Sequence, residues 1–311
     1  MKVIRNINNL ADTKENCVVT IGNFDGIHKG HISLINKIIN YSKKYSLVPT
    51  IITFEPLPEE YFQKPNFKRL MGLKEKLLIF KEYGIKQVIC LNFNKKFSKM
   101  SAEEFISVIL IQKLDTKYLI VGGDFRFGHN RKGNYSLLES YSKKTEMKVE
   151  NIKLINTNGN KIGSTRIREA LSSGNIELAN KLTGRPFSIS GIVAHGEKLG
   201  KKLGYPTANI DIYKSYPING IFLVKISMEN DSDNYGLASL GNKPTFSGKN
   251  DVLEVYIFNF NKNIYNQKLK ISFLHKIRDQ IKFNSKDDLV KQMDNDYKIA
   301  MKLIEKLKDE L

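Results

Sequence analysis

The sequence predicts two domains of different class: an α/β domain with a doubly wound parallel sheet, then a small antiparallel β-barrel with a terminal α-helix. Up to about residue 185, short apolar runs alternate with segments of helical periodicity, which is typical of a parallel sheet covered by helices. Beyond that point, strand-like runs follow one another with glycine, proline and asparagine between them, which favours a barrel or a sandwich; we expect the barrel. The predicted domains therefore span residues 1–185 and 186–311.

The first domain is predicted to alternate strands and helices. The predicted strands are Cys17–Ile21, Leu47–Phe54, Gln87–Leu91, Tyr118–Val121 and Lys148–Ile155. The predicted helices are His31–Tyr45, Leu73–Tyr83, Ala102–Gln112 and Thr165–Ser172. Ser101 and Glu104 form a capping box for the third helix. Because ligands of such folds bind where the strands end, the turns after Ile21 and Val121 are the first places to look for a site.

The second domain is predicted to contain short strands and one long helix. The predicted strands are Ser188–Ala194, Gly220–Ile226, Tyr235–Leu240, Leu253–Phe258 and Lys268–Phe273. The helix covers about residues 286–307. Its predicted buried stripe consists of Leu289, Met293, Ile299, Leu303 and Leu307.

Composition limits the classes of protein to consider. The chain has 311 residues and is 41% hydrophobic, enough for a sizeable core, and no apolar run approaches the length of a membrane span. Cys17 and Cys90 lie in apolar strand-like segments and read as buried thiols of a reducing compartment, so we expect a cytoplasmic protein without a membrane partner. The net charge of +18 permits nucleic-acid binding, but the lysines are dispersed, so we expect no dedicated nucleic-acid role. The chain is expected to be a monomer or a weak homo-oligomer.

The segment Gly22–His31 joins the first predicted strand to the first predicted helix. Backbone N–H groups and the helix dipole make such a turn a natural phosphate site, and glycine lets the backbone approach a ligand closely. His28 and His31 lie three positions apart, so both can face one ligand. The segment resembles the first signature of nucleotidyltransferases that transfer AMP or CMP. The residues assigned to the nucleotide here are Gly22, Phe24, Asp25, Gly26 and Gly30.

A second element lies far downstream, at Gly163–Leu171. Ser164 or Thr165 can cap a helix, while Arg166 and Arg168 in its first turn oppose the helix dipole unless an anion lies between them. The segment resembles the S-T-x-x-R element of the same superfamily, which closes over the triphosphate.

The second domain has its own glycine-rich segment followed by a threonine and an asparagine. A loop bearing three glycines can cover a phosphate chain, and Thr207 and Asn209 fall on one face of an extended segment. Hydroxyl and amide oxygens of this kind suit Mg²⁺ carried by ATP. The residues assigned to the nucleotide here are Gly191, His195, Gly196 and Gly200.

From about residue 15 to about residue 300, the chain resembles the bacterial bifunctional riboflavin kinase/FAD synthetases. In the first part the resemblance is carried by the segments 24–31, 54–58, 122–128 and 164–171. In the second part it is carried by the segments 203–209, 241–246 and 253–256. Any one of these motifs occurs elsewhere, but their order along one chain is specific. The implied fold is a Rossmann-like nucleotidyltransferase domain followed by a riboflavin kinase barrel.

The resemblance also implies activities and residue roles. The second domain would form FMN from riboflavin and ATP, and the first domain would form FAD and pyrophosphate from FMN and a second ATP. Glu254 would be the kinase base, with Thr207 and Asn209 on Mg²⁺ and phosphate. His28 and His31 would neutralise charge on the α-phosphate. Ser164, Thr165 and Arg168 would bind the outer phosphates, and Asp124 the nucleotide. The candidate flavin contacts are Phe54, Phe62, Phe125, Phe127 and Arg278.

Three positions depart from the family pattern. Lys201 follows Gly200 where the family usually has arginine, and lysine lacks the bidentate fork of that residue. Ser239 precedes Leu240 where Asn-Ile is common. Gln280 replaces the carboxylate of an R-x-E motif that begins at Arg278. The last two changes concern the flavin side of the kinase.

Two other classes of function stay open at this stage. One is a cytidylyl- or adenylyltransferase with another acceptor, such as a pantetheine or nicotinamide phosphate, although such an enzyme has no reason to carry a second phosphate-binding domain. The other is a basic nucleic-acid or regulatory binding protein without catalysis, although the presence of His28, His31, Thr207 and Glu254 argues against it. Binding to random DNA over a salt series would separate that class, because phosphate binding weakens steeply with salt.

Overall fold

The computed structural model describes residues 1–5, 15–152, 156–157, 160–195, 204–212, 214–228, 232–242 and 251–309. The chain folds into two compact units. Unit 1 comprises Met1–Phe67 and Met71–Gly163, and unit 2 comprises Lys68–Leu70 and Ser164–Leu311. The units divide before the predicted boundary at residue 185, because the helices after Gly163 group with the barrel. The assignment of one activity to each side of residue 185 stays a prediction.

Unit 1 contains a parallel sheet of six strands in the order β1-β4-β3-β2-β5-β6. The strands are β1 Lys2–Ile4, β2 Cys17–Ile21, β3 Val48–Phe54, β4 Gln87–Leu91, β5 Thr116–Gly122 and β6 Lys148–Ile152. A short antiparallel pair follows, β7 Asn156–Thr157 and β8 Asn160–Lys161. The chain runs from β2 towards one edge and later returns to β5 on the other side, so the β2–β5 boundary is the point where ligands of doubly wound sheets bind.

Helices cover both faces of this sheet, as predicted. Val19 and Ile21 belong to one buried apolar cluster and Val18 belongs to another, so successive residues of β2 face opposite layers. The helices are α1 Lys29–Tyr45, α2 Pro58–Tyr61, α3 Leu73–Glu82, α4 Lys95–Ser98, α5 Ala102–Glu104 and α6 Tyr135–Ser142. The predicted helix 102–112 continues beyond α5 as a π-helical segment, Phe105–Lys113, whose wider turns bury four of its apolar side chains.

Both cysteines are buried thiols, as predicted. Cys17 lies in β2 and Cys90 in β4, and they form no disulfide with each other. The Cys17 Sγ donates to the backbone oxygen of Glu15 at 2.9 Å. Burial is the main cause that raises the pKa of Cys17 to about 11.

In its described residues, unit 2 is a closed antiparallel barrel with two helices before it and one after it. The helices are α7 Ser164–Ser172, α8 Ile176–Thr183 and α9 Lys286–Asp309. The strands are β9 Phe187–Ala194, β10 Thr207–Asp211, β11 Gly220–Met228, β12 Asn234–Asn242, β13 Asp251–Ile257 and β14 Lys268–Arg278. The order β10-β13-β12-β11-β14-β9 closes because β9 pairs with both β14 and β10. The barrel was therefore predicted correctly, although β10 was missing from the predicted strands.

The predicted buried stripe of α9 needs one correction. Ile299 is 38% exposed, whereas Ala300 and Ile304 are buried against barrel residues Leu223 and Leu237. Ile299 lies about 100° from Ala300 around a helix, which places it at the rim of the apolar face. Leu303 and Leu307 pack against the cluster as predicted.

Candidate functional site

The two histidines of the turn after β2 lie against each other. His28 is the N-cap of α1, and its Nδ1 accepts a hydrogen bond from the backbone N–H of His31 at 3.3 Å. The two rings stack with centroids 3.7 Å apart and planes 17° apart. Since Nδ1 of His28 is an acceptor, the proton of the neutral ring is on Nε2. The structure thus brings the predicted pair together at the N-terminus of a helix, where a phosphate is favoured.

The turn itself is held in an unusual backbone conformation. Phe24 has φ +48°, Gly26 φ +82° and Ile27 φ +38°. Phe24 is fully buried. Its ring centroid lies 4.8 Å from that of His31 and 5.3 Å from that of Phe80. Its side chain therefore supports His31, and only its backbone can meet a ligand. A Cβ on Gly22 would lie 3.3 Å from the Phe24 ring, so a side chain at this position would require the ring to shift by a few tenths of an ångström.

Hydrogen bonds to Asn23 hold the backbone of the same turn in place. The backbone oxygen of Asn23 accepts hydrogen bonds from Lys76 Nζ at 2.7 Å and Thr53 Oγ1 at 3.3 Å. The Asn23 amide donates to both oxygens of Glu59, at 3.0 and 3.1 Å. Lys76 is fully buried. Sequence reasoning missed these supports; the one local signal was a lysine on the apolar face of the α3 period.

Asp25, which was assigned to the nucleotide, is also buried. Its Oδ1 accepts a hydrogen bond from the backbone N–H of Met71 at 3.2 Å, and the residue is 2% exposed. This contact ties the turn to the segment before α3. A nucleotide contact of Asp25 stays a prediction, as does that of Gly30, which is buried in the first turn of α1.

The second predicted turn follows β5, the neighbour of β2 in the sheet. Asp124 is exposed there, and Phe125 stacks on Phe127 with centroids 5.3 Å and planes 14° apart. Phe127 is only 9% exposed and belongs to the core. Phe125 is therefore the better placed of the two for a flavin contact.

Aromatic rings connect the other flavin candidates. Phe54 lies 5.9 Å from Phe93, and Phe62 lies 5.7 Å from the same ring. Phe62 is 65% exposed, so its ring is accessible to a ligand, and its flavin contact stays a prediction. Phe93 was not among the predicted residues, although it links Phe54 to Phe62.

A cleft of about 690 Å³ lies beside α1 in unit 1. It is lined by Lys29, Ile32, Ser33, Asn36, Lys37, Asn40, Glu150, Asn151 and Ile152. Lys37 and Glu150 form an ion pair across it at 2.8 Å, and Glu150 accepts a hydrogen bond from Tyr41 at 2.5 Å. That hydrogen bond is the main cause that raises the pKa of Tyr41 to about 12. No residue assigned to a ligand from sequence lines this cleft.

The S-T-x-x-R element forms the first turns of α7, in unit 2. The Arg168 Nε donates to the backbone oxygen of Lys68 at 2.7 Å. Among the described residues, the buried Nη1 of Arg166 has no hydrogen-bond partner. A buried guanidinium nitrogen without a hydrogen-bond partner favours an anionic ligand at this helix N-terminus. Ser164 and Thr165 precede it in the same turn.

The predicted kinase residues meet on the outer face of the barrel. Residues directly opposite one another in neighbouring strands share a face. Register pairs Asn209 with Glu254, Glu254 with Ser239, Ser239 with Ile221, and Ile221 with Arg278. These five residues form what we call the outer-face row. Thr207 lies next to it, opposite Tyr256.

Successive residues of β13 alternate between the two faces of the barrel wall. Leu253 and Val255 are fully buried inside the barrel, whereas Glu254 and Tyr256 are half-buried on its outer side. The row therefore places a carboxylate and an amide on one side of the sheet, with the hydroxyl of Thr207 two residues along β10 from the amide. Oxygen donors of this kind fit Mg²⁺ with ATP.

Arg278, predicted as a flavin contact, is held by α9. Its Nε and Nη2 lie 2.9 and 2.8 Å from the two carboxylate oxygens of Asp296, which is 2% exposed. Gln292 also donates to Asp296, at 2.8 Å. The guanidinium thus has a protein partner, and its flavin contact stays a prediction.

The glycine segment of unit 2 is described in part. A Cβ on Gly191 would collide with the Asp211 backbone oxygen, so this glycine permits the close packing of β9 on β10. His195 stacks on Tyr265 with centroids 4.1 Å apart. Gly196, Gly200 and Lys201 lie outside the described residues, and so does segment 243–246 of the second-domain motif.

Two features are absent from the described part of the chain. It holds no cluster of three or more histidine, cysteine, aspartate or glutamate side chains arranged to bind a metal. No helix there is both long enough and apolar enough to cross a bilayer.

Two protein families match the chain in tandem. The FAD synthetase family matches residues 10–166, and the riboflavin kinase family matches residues 183–304. A bifunctional riboflavin kinase/FMN adenylyltransferase of Buchnera aphidicola subsp. Schizaphis graminum is 45% identical over 307 residues, covering 97% of this chain and 98% of the relative. The Escherichia coli K12 protein of the same description is 36% identical over 299 residues, covering 95% and 96%.

A solved structure shares the fold over nearly the whole length. It is described as a macrolide-efflux protein from Streptococcus pneumoniae and aligns with a TM-score of 0.84 at 31% identity, covering 96% of this chain and 98% of that chain.

Proposed function

Because the chain belongs to the family of bifunctional riboflavin kinase/FMN adenylyltransferases, we propose that it converts riboflavin to FMN and FMN to FAD, using one ATP in each step. The observation that carries the proposal in this chain is the outer-face row, in which Glu254 lies between Asn209 and Ser239 with Thr207 beside them. The stacked histidine pair in unit 1 supports the second activity.

In the kinase reaction, Glu254 accepts the proton of the riboflavin 5′-hydroxyl. The hydroxyl oxygen forms a bond to the γ-phosphorus of ATP, the bond between that phosphorus and the β,γ-bridging oxygen breaks, and ADP leaves. Thr207 and Asn209 would hold Mg²⁺ with the phosphates. When bound, Mg²⁺ neutralises phosphate charge, and positioning matters more than the base because phosphoryl transfer needs little covalent help.

In the adenylyltransferase reaction, a phosphate oxygen of FMN forms a bond to the α-phosphorus of ATP, the bond between that phosphorus and the α,β-bridging oxygen breaks, and pyrophosphate leaves. His28 and His31 stabilise the charge that develops on the α-phosphate, which is usually the largest catalytic contribution. The family resemblance assigns Ser164, Thr165 and Arg168 to the outer phosphates. Phe62 and Phe125 offer exposed or half-exposed rings for the flavin.

One assay tests both activities. The purified chain is incubated with riboflavin, ATP and Mg²⁺, and the products are separated by chromatography. Formation of FMN followed by FAD is expected. A chain that forms neither flavin nucleotide, although it is folded, would contradict the proposal. The cytoplasmic location and the monomeric or weakly associated state stay predictions.

A further inference from the structure

Two aspartates of α9, two positions apart, each bind a residue at one end of the outer-face row. Asp294 accepts a hydrogen bond from the hydroxyl of Tyr205, which precedes β10. Asp296 receives the guanidinium of Arg278, at the far end of the row on β14. The helix thus contacts the chain on both sides of Glu254.

Tyr205 is fixed at its ring as well as at its hydroxyl. The ring packs on Tyr256 with centroids 5.1 Å apart in a T-shaped arrangement. Tyr256 lies directly opposite Thr207 and two residues from Glu254.

The hydrogen bond from Tyr205 to Asp294 is not needed to close the barrel. Strand β10 is already paired with β13 on one side and with β9 on the other. The bond is exposed to solvent, and exposed polar contacts contribute little to global stability. The bond restrains the segment that leads into Thr207 and Asn209.

We propose that Tyr205 and Asp294 are positioning residues for riboflavin phosphorylation, which fix the start of β10 so that Thr207 and Asn209 lie opposite Glu254. The Asp296–Arg278 pair anchors α9, from which Asp294 acts. This inference rests on the proposed kinase activity of unit 2. It concerns the ATP side of the site, because Tyr205 leads into the predicted phosphate and metal contacts.

The test uses the full-length chain and three variants: Tyr205→Phe, Asp294→Ala and the double variant. Tyr205→Phe removes only the hydroxyl and leaves the ring on Tyr256, whereas Asp294→Ala removes the acceptor. Glu305→Ala is the matched control, since it removes another exposed carboxylate of α9. Kinetics are measured against ATP and against riboflavin, and hydrogen exchange is measured over residues 207–211.

Each single variant is expected to raise KM for ATP about threefold to fivefold, the effect of one exposed hydrogen bond, with KM for riboflavin changed by less than about twofold. Amides 207–211 should exchange faster. The double variant should lose no more than the single variants, because both remove the same bond. Glu305→Ala should match the parent, and every variant should form FAD from FMN at the parent rate.

Unchanged KM for ATP, equal increases in both KM values, or losses that add in the double variant would each overturn the positioning role. The positioning role would also be wrong if a folded variant had a lower unfolding temperature but kept both parent KM values, because the contact would then serve stability alone. A parent chain that forms no FMN would instead contradict the proposed kinase activity.

Discussion

The side-chain amide of Gln280 donates a hydrogen bond to the hydroxyl of Ser239, with 3.2 Å between Nε2 and Oγ. Both residues occupy positions where the sequence departs from the family motifs. Ser239 lies directly opposite Glu254, and the Gln280 side chain covers Gly241, where a Cβ would collide with it. The two departures are therefore one contact beside the predicted base.

This contact makes the two positions interdependent. Ser239→Ala and Gln280→Ala should each raise KM for riboflavin about threefold to tenfold, since each removes one hydrogen bond that borders the flavin side of the site. The double variant should lose no more than either single variant. The control is Gln267→Ala, which removes an exposed glutamine directly before β14. Steady-state kinetics that show additive losses would mean that the two residues act separately.

The histidine pair should affect only FAD formation. His31→Ala is expected to lower the rate of FMN adenylylation by about 10²–10³-fold, the usual effect of losing one group that stabilises transition-state charge. Riboflavin phosphorylation should hardly change. His129→Ala, which removes an exposed histidine of the same unit, should leave both rates near the parent values. Equal loss of both activities in a folded His31→Ala chain would indicate a structural role instead.

Glu254 should affect only FMN formation. Glu254→Gln keeps the shape of the side chain and removes the base, so riboflavin phosphorylation should fall by about 10²–10⁴-fold. The rate of FMN adenylylation by the same chain should remain near the parent rate. This rate is the internal control, because it shows whether unit 1 is intact. A variant that phosphorylates riboflavin within about twofold of the parent would rule out Glu254 as the base.

The position of the cut should decide the stability of an isolated kinase fragment. The Asn180 side chain of α8 donates to the backbone oxygen of Phe273 at 2.9 Å and accepts from the N–H of Phe187 at 2.7 Å. A fragment 164–311 keeps both hydrogen bonds. A fragment 186–311 loses them and also loses the buried side chain of Leu182, which contributes about 1.5–3 kcal/mol to the free energy of unfolding. Both fragments should make FMN and no FAD, and urea unfolding should show the longer one to be more stable. Equal midpoints would show that α7 and α8 contribute nothing to the barrel.

Cys17 should make the stability of unit 1 depend on alkaline pH. Its pKa is raised from 9.0 to about 11 in the folded chain, so the protonated thiol is favoured there. The resulting stabilisation of about 2–3 kcal/mol is fully present below pH 9 and is lost as the pH rises towards 11. The difference in unfolding free energy between the parent and Cys17→Ala should therefore shrink over that interval. The difference between the parent and Val19→Ala, a buried change in the same strand, should stay constant; a constant difference for Cys17→Ala would contradict the prediction.

The parts predictable from sequence were those that local pattern determines. Cys17–Ile21 and Gln87–Leu91 are mostly apolar runs, as expected for parallel strands that are covered on both faces, and both agree with the observed strands. Strand β10 was missing from the predicted strands although Thr207–Asp211 alternates polar and apolar residues, because the strand is short and has only two apolar side chains, Ala208 and Ile210.

Long-range contacts could not be predicted in this way. Lys76 is one of 50 basic residues, and nothing near it in sequence indicates that its ammonium group reaches the oxygen of Asn23. The same holds for Tyr205 and Asp294, which are brought together only by the packing of α9 on the barrel. The family motifs propose site residues one by one, and those assignments stay predictions, whereas the residues that support them depend on the fold.

The closure of the barrel has a consequence for how unit 2 is made. Strand β9 pairs with β14, so that Phe187 lies opposite Phe273, and the strands between them must all be synthesised before this seam can form. Pairings so distant in sequence slow folding, because the entropy of loop closure is lost before the contacts form. On the ribosome, the emerging strands β9 to β13 would present unpaired edges until β14 appears. We therefore expect this half of the chain to be the part that depends most on chaperones during synthesis.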